Sequence, residues 1–141
     1  DVLAALLHSQ FLFRKKIQQK RKNIWETYNE RLKKWSISNE ISLPFVPKSC
    51  KQTYHMFYLL CPNLTWRNKF IDYLATKGIS ATSHYQPLHT SEFGMKLCLS
   101  EKDLCPVTSL VSETIVRLPM FYDMSDLQLN YVIDRICEYK R

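Results

Sequence analysis

Glycine is almost missing from this chain: two residues in 141, Gly78 and Gly94. Gly-rich loops that cradle phosphates need several close backbone approaches, so that class of NTP site is excluded. No G-x-S-x-G turn is present, which removes the nucleophile elbow of many hydrolases. Neither Gly nor Pro occurs before Pro44. Apolar runs stay at a few residues, far short of the roughly 20 that span a bilayer. The five cysteines (50, 61, 98, 105 and 137) are odd in number and form no C-x-x-C pair. That usage fits reduced thiols and a cytoplasmic location better than a disulfide framework. Acidic residues are scarce at one end. Residues 1–36 hold nine Lys/Arg against Asp1, Glu26 and Glu30, a surplus of six out of the net +7. The remaining 105 residues hold eleven basic and ten acidic groups, a surplus of one.

What is present is a globular composition. Apolar residues make up 45%, with eight Tyr, seven Phe and three Trp, enough for one packed core. The glycine-free start carries apolar residues at helical spacing: Val2, Leu3, Leu6, Leu7, Phe11, Phe13, Ile17, then Ile24, Trp25, Tyr28, Leu32 and Trp35. The spacing predicts one or two long helices, with a possible break at Lys20-Arg21-Lys22. Asp1 opens inside this pattern without an initiator Met, which predicts a chain cut from something longer.

Further along, Thr53–Cys61 is aromatic and apolar on both faces, the pattern of a central strand covered by helices. Thr65 is placed to cap a helix over 66–77, and Gly78 to stop it. A strand at Ile79–Ser83 leads into a polar loop. Pro106 suits the first turn of a helix to Thr114. Val116–Leu118 reads as a short strand ended by Pro119. Ser125 and Gln128 have the spacing of a capping box that opens the last helix. The expected fold is α/β: a small three-stranded sheet covered by helices, preceded by a basic helical arm over 1–36, with the α/β domain at 37–141.

The loop Ser83-His84-Tyr85-Gln86-Pro87-Leu88-His89 concentrates the chemistry. Phenol and imidazole hydrogen-bond hydroxyls and phosphates, and imidazole can carry charge. Following a strand, such a loop presents binding groups from a rigid support. His84, Tyr85 and His89 are therefore candidate substrate-binding residues, against the plainer reading of an incidental surface turn. His55, amid large apolar neighbours, is either a satisfied core residue or a fourth candidate. Ser83 beside His84 is sequence adjacency and makes no catalytic pair. Cys98, Cys105, His84 and His89 match no zinc spacing, so no metal is expected. The basic arm could meet nucleic acid or another anionic partner. Its continuous apolar period, without a DNA-reading motif, favours packing on the domain or a partner instead.

The segment His84-Tyr85-Gln86-Pro87-Leu88-His89, the Phe93-Gly94 pair, the run Arg117-Leu118-Pro119-Met120-Phe121-Tyr122 and the helix opened by Ser125 resemble the C-terminal region of the DegT/DnrJ/EryC1/StrS sugar aminotransferases. The resemblance extends over essentially the whole chain. It implies the C-terminal domain of a fold type I aminotransferase and, in the parent enzyme, pyridoxal 5'-phosphate held by a lysine. It also implies a dTDP-linked sugar-nucleotide substrate and a homodimer supported by the helical arm. On the same resemblance His84, Tyr85 and His89 would line the sugar-nucleotide pocket, with His55 beside them. No lysine here aligns with the cofactor-bearing one, so no cofactor is expected on this chain alone, and the piece by itself is expected to be inactive.

Overall fold

The structure, a computed structural model, describes residues 1–97 and 105–140. The chain opens with helices α1 (Val2–Leu12) and α2 (Arg14–Ser38). The interruption between them lies at Phe13 (φ −96°, ψ 6°), seven residues ahead of the expected basic triplet. Lys20-Arg21-Lys22 continues the helix because its residues are good helix formers and side chains bridge one turn. Gln19 donates to Asn23 at 2.8 Å, and Lys22 lies 3.7 Å from Glu26. Beyond this point α2 turns one stripe inward: Ile24, Trp25, Tyr28, Leu32 and Trp35 are buried.

Strand β1 (Phe57–Leu60) pairs antiparallel with β2 (Ile115–Leu118), Phe57 facing Leu118 and Leu60 facing Ile115. Single bridges flank this ladder, Ser42 on Leu60 and Thr82 on Arg117. β1 is therefore central, as its sequence implies, but shorter. Tyr54 has φ 52°, a left-handed conformation that breaks extension. The expected strand at Ile79–Ser83 contracts to the Thr82 bridge. The amide of Ile79 donates to Leu74 O, and that of Ala81 donates to Ile79 O, so neither joins a ladder.

Helix α3 (Leu64–Thr76) is capped by Asn63, not Thr65: the Asn63 side chain accepts from the Trp66 amide at 2.9 Å. It ends in a Schellman motif. Gly78 at φ 71° donates to Ala75 O, while Ile79 donates to Leu74 O. A short 3-10 turn (Leu88–Thr90) and α4 (Glu92–Leu97) follow the polar loop. Then come α5 (Pro106–Thr114), with Pro106 in its first turn, and α6 (Asp126–Glu138) with the full Ser125–Gln128 capping box.

The core is aromatic. Phe57 packs against Trp25 and Tyr28, with ring centroids at 5.4 and 5.2 Å. On the other flank Trp35, Trp66, Phe70, Tyr73 and Tyr139 form a chain of ring contacts between α2, α3 and the end of α6. Two of the buried polar tips find backbone partners, while the Trp25 and Trp66 indole N–H groups have none among the described residues. Tyr28 donates to Pro119 O at 2.9 Å, and the Trp35 indole donates to Tyr139 O at 2.8 Å. These contacts fix α3 and β2, the supports of the polar loop. No helix among the described residues is long and apolar enough to cross a membrane.

Candidate functional site

The polar loop leaves the sheet edge at the Thr82–Arg117 bridge and is held in shape by its own residues. Thr90 N–H donates to Pro87 O at 3.1 Å, closing the 3-10 turn, and the Gln86 amide donates to Thr90 O at 3.1 Å. Gly94 explains the Phe93-Gly94 pair. A Cβ there would sit 1.8 Å from Leu88 O, so only glycine lets α4 close over the turn. The loop is then tied to α5 by His89, whose Nε2 is 3.0 Å from Ser109 Oγ.

Within this frame His84 and Tyr85 stand out into solvent. Tyr85 is 81% exposed, and the two rings lie 4.8 Å apart at a tilt of 57°. They divide two clefts. One, about 270 Å³, runs between His84, Tyr85, Pro87 and the apolar face of α5 at Val107, Val111 and Ile115. The other, about 450 Å³, mixes polar groups with apolar surface: Leu64 and Arg67 of α3, Ser83 to Pro87, Thr90, and Ser109, Ser112 and Glu113 of α5. A third cleft of about 410 Å³ continues from it along α3, sharing Arg67 and Ser83 and adding Asn68, Asp72 and Thr82. Arg67 connects the elements: its Nε donates to Glu113 O at 3.1 Å, fixing the guanidinium between α3 and the end of α5.

Of the four residues the sequence singles out, the structure brings His84 and Tyr85 together at both clefts. His89 lies half-buried behind them, bonded to α5, and is not among the residues lining either cleft. His55 belongs elsewhere. It is exposed, precedes β1 in the kinked segment after Tyr54, and its Nδ1 is 3.0 Å from Thr53 Oγ1. The expectation of a histidine on the strand is corrected by the positive φ of Tyr54, which delays the strand to Phe57. Sequence reading missed Arg67 and the α5 wall. Arg67 sits one position past Trp66, on the flank of an ordinary amphipathic helix, and carries no signal in spacing. Pro106–Thr114 is legible as a helix, but its place beside the loop is set by tertiary packing. Cys98 lies outside the described residues. The other four cysteines are free thiols.

The arrangement offers hydroxyl, imidazole, phenol and guanidinium groups around open clefts. That set suits a polyhydroxylated anionic ligand. Among the described residues no lysine lines any of the three clefts, so the set does not suit a pyridoxal 5'-phosphate ring held by Schiff base.

A profile of the DegT/DnrJ/EryC1/StrS aminotransferase family matches residues 1–137, and the chain belongs to that family. It is 26% identical over 142 residues to the pleiotropic regulatory protein of Geobacillus stearothermophilus, covering 100% of this chain and 37% of that protein. Its fold matches DesV of S. venezuelae with a TM-score of 0.85 and 21% identity, over 98% of this chain and 36% of that one. It also matches the PLP-form of the sugar aminotransferase Spr1654 of Streptococcus pneumoniae, with a TM-score of 0.78 and 22% identity over 96% and 34%. The chain thus spans little more than a third of the length of these relatives.

Proposed function

We propose that this chain is the C-terminal part of a pyridoxal 5'-phosphate-dependent sugar-nucleotide aminotransferase. The parent enzyme moves an amino group from glutamate to C4 of a 4-keto-6-deoxy sugar linked to dTDP. Tyr54-His55-Met56-Phe57-Tyr58 and Asp1-Val2-Leu3-Ala4-Ala5 with Gln10 resemble the dTDP-4-amino-4,6-dideoxygalactose transaminase in particular. That enzyme's product feeds cell-surface polysaccharides such as lipopolysaccharide and enterobacterial common antigen, and the reading places the parent enzyme in the cytoplasm. One observation carries the reading: family membership over residues 1–137 coincides with a loop cleft lined by His84, Tyr85 and Arg67 and, among the described residues, by no lysine. When bound, the cofactor supplies the electron sink for amino transfer. The residues that hold it belong to the part of the enzyme outside these 141 residues, so the piece alone turns nothing over.

The roles on this chain are binding and orientation. His84 and Tyr85 contact the sugar and its phosphates. His89 holds the loop on α5. His55, away from both clefts, contributes least. The helical arm 1–36 joins the 37–141 domain to the rest of the enzyme and supports a homodimer. The alternative, a basic-helix module for nucleic acid, makes no use of the loop clefts.

The test is the product of the full gene. A yellow protein that bleaches with glutamate supports the reading. Tyr85→Phe should then raise KM for the nucleotide sugar several-fold, the loss of one hydrogen bond, about 0.5–1.5 kcal/mol. A colourless product that retains DNA with steep salt dependence would reverse it in favour of the alternative.

A further inference from the structure

Arg67 brings a positive charge to the clefts beside the polar loop. It is half-buried and lines both the 450 Å³ and the 410 Å³ cleft. Its Nε is committed to Glu113 O. Among the described residues it forms no ion pair, although two carboxylates line the same clefts, Glu113 in one and Asp72 in the other. A guanidinium has five N–H donors. Fixing one on a backbone carbonyl orients the fork and leaves the terminal nitrogens for a ligand. Around it stand Asn68, Ser83 and His84, all able to donate to phosphate oxygens.

We propose that Arg67 anchors the diphosphate of the nucleotide-linked substrate at the junction of the two clefts. Paired anionic oxygens match the planar fork, and two flanking clefts give the groups on either side of a diphosphate somewhere to lie. Asp72 and Glu113, set away from the fork, repel phosphate oxygens and accept from hydroxyls. They thereby confine the anion to the junction. The identity of the ligand rests on the aminotransferase reading. The presence of an anion site at Arg67 does not.

Inorganic pyrophosphate is the probe, titrated into the 141-residue chain while the amide and Arg Nε signals are followed by NMR. Signals of Arg67, Asn68, Ser83 and His84 should shift together. Arg67→Gln should weaken binding about ten- to hundredfold, the value of one charge-assisted bidentate contact. Because Arg67→Gln also removes the bond to Glu113 O, Asn68→Asp serves as a second variant. It leaves that bond in place, adds a negative charge to the cleft, and should weaken pyrophosphate binding as well. Unchanged affinity in both variants overturns the proposal. So does binding of glutamate, with the same Arg67 dependence, in preference to pyrophosphate, which would reassign the site to the amino donor's carboxylate. The aminotransferase reading fails separately, through a colourless full-length product, and that result leaves the pyrophosphate titration unaffected.

Discussion

Two stretches of the same helical arm carry the same kind of apolar repeat and meet opposite fates. In α1, Val2, Leu3, Leu6 and Leu7 are 84, 77, 55 and 66% exposed. In the second half of α2, Tyr28 and Leu32 are wholly buried. Periodicity states that a face is to be covered; it does not state by what. The α2 stripe finds its cover in this chain, on Phe57 of β1 and Phe70 of α3. It is further tied to α6 by Arg31, which bonds Asn130 and pairs with Asp134 at 3.1 Å. The α1 residues find no such cover among the described residues, and none of that helix is buried.

The comparison breaks first at its buried end. Phe57 has no exposed surface and touches both Trp25 and Tyr28. Phe57→Ala should cost about 3–5 kcal/mol, since it removes a large ring and leaves a cavity the neighbouring rings fill poorly. Urea unfolding of the two proteins measures it. A loss under about 1 kcal/mol would mean that the second half of α2 is held by something other than this stripe.

Burial also sets the alkaline limit of the packed region. Burial raises the Cys61 thiol from its ordinary value of 9.0 to about 12, an effect the Arg67 charge only partly offsets. Burial raises the Tyr28 phenol as well. Both groups are neutral when protonated, and their folded values exceed the unfolded ones. The stabilisation is therefore complete below about pH 9 and falls as pH rises through the 9–12 window. Between pH 9 and 10 the thiol alone approaches a slope of about 1.4 kcal/mol per pH unit. Cys61→Ala should flatten the stability curve there, whatever it does to absolute stability. A curve that keeps its slope would place the titrating group elsewhere.

How much was legible follows the same division between local and tertiary causes. Features written in adjacent residues were readable: the Ser125–Gln128 capping box, Pro106 in the first turn of α5, and the stop at Gly78. The loop was readable as a cluster because His84, Tyr85, Pro87 and His89 are neighbours in sequence. Features that depend on competition between local options were misplaced. Asn63 and Thr65 can both cap α3, and Asn63 has the geometry. The Ile79–Ser83 strand lost its amides to the helix end before it. What packing alone decides was illegible: His89 behind the loop instead of in the cleft, His55 ahead of the strand, and Arg67 at the junction of two clefts.

The smallest effect on stability tests the exposed end. Leu3→Ser with Leu7→Ser changes two side chains that are 77 and 66% exposed, so the unfolding free energy of the domain should move by less than about 0.5 kcal/mol. The effect on association should be large. Val2, Leu3, Leu6, Leu7, Phe11 and Leu12 form an uncovered apolar surface on a helix that lies beside a strongly basic stretch. Such a surface drives self-association, and charge alone would keep copies apart. In sedimentation runs at increasing concentration the parent chain should form dimers or larger species, and the double variant should stay monomeric at the same concentrations. Because the driving force is apolar burial, added salt should strengthen association by screening the basic residues. Association that weakens with salt would point to the charged face of α2 as the contact and would break the contrast between the two ends of the arm.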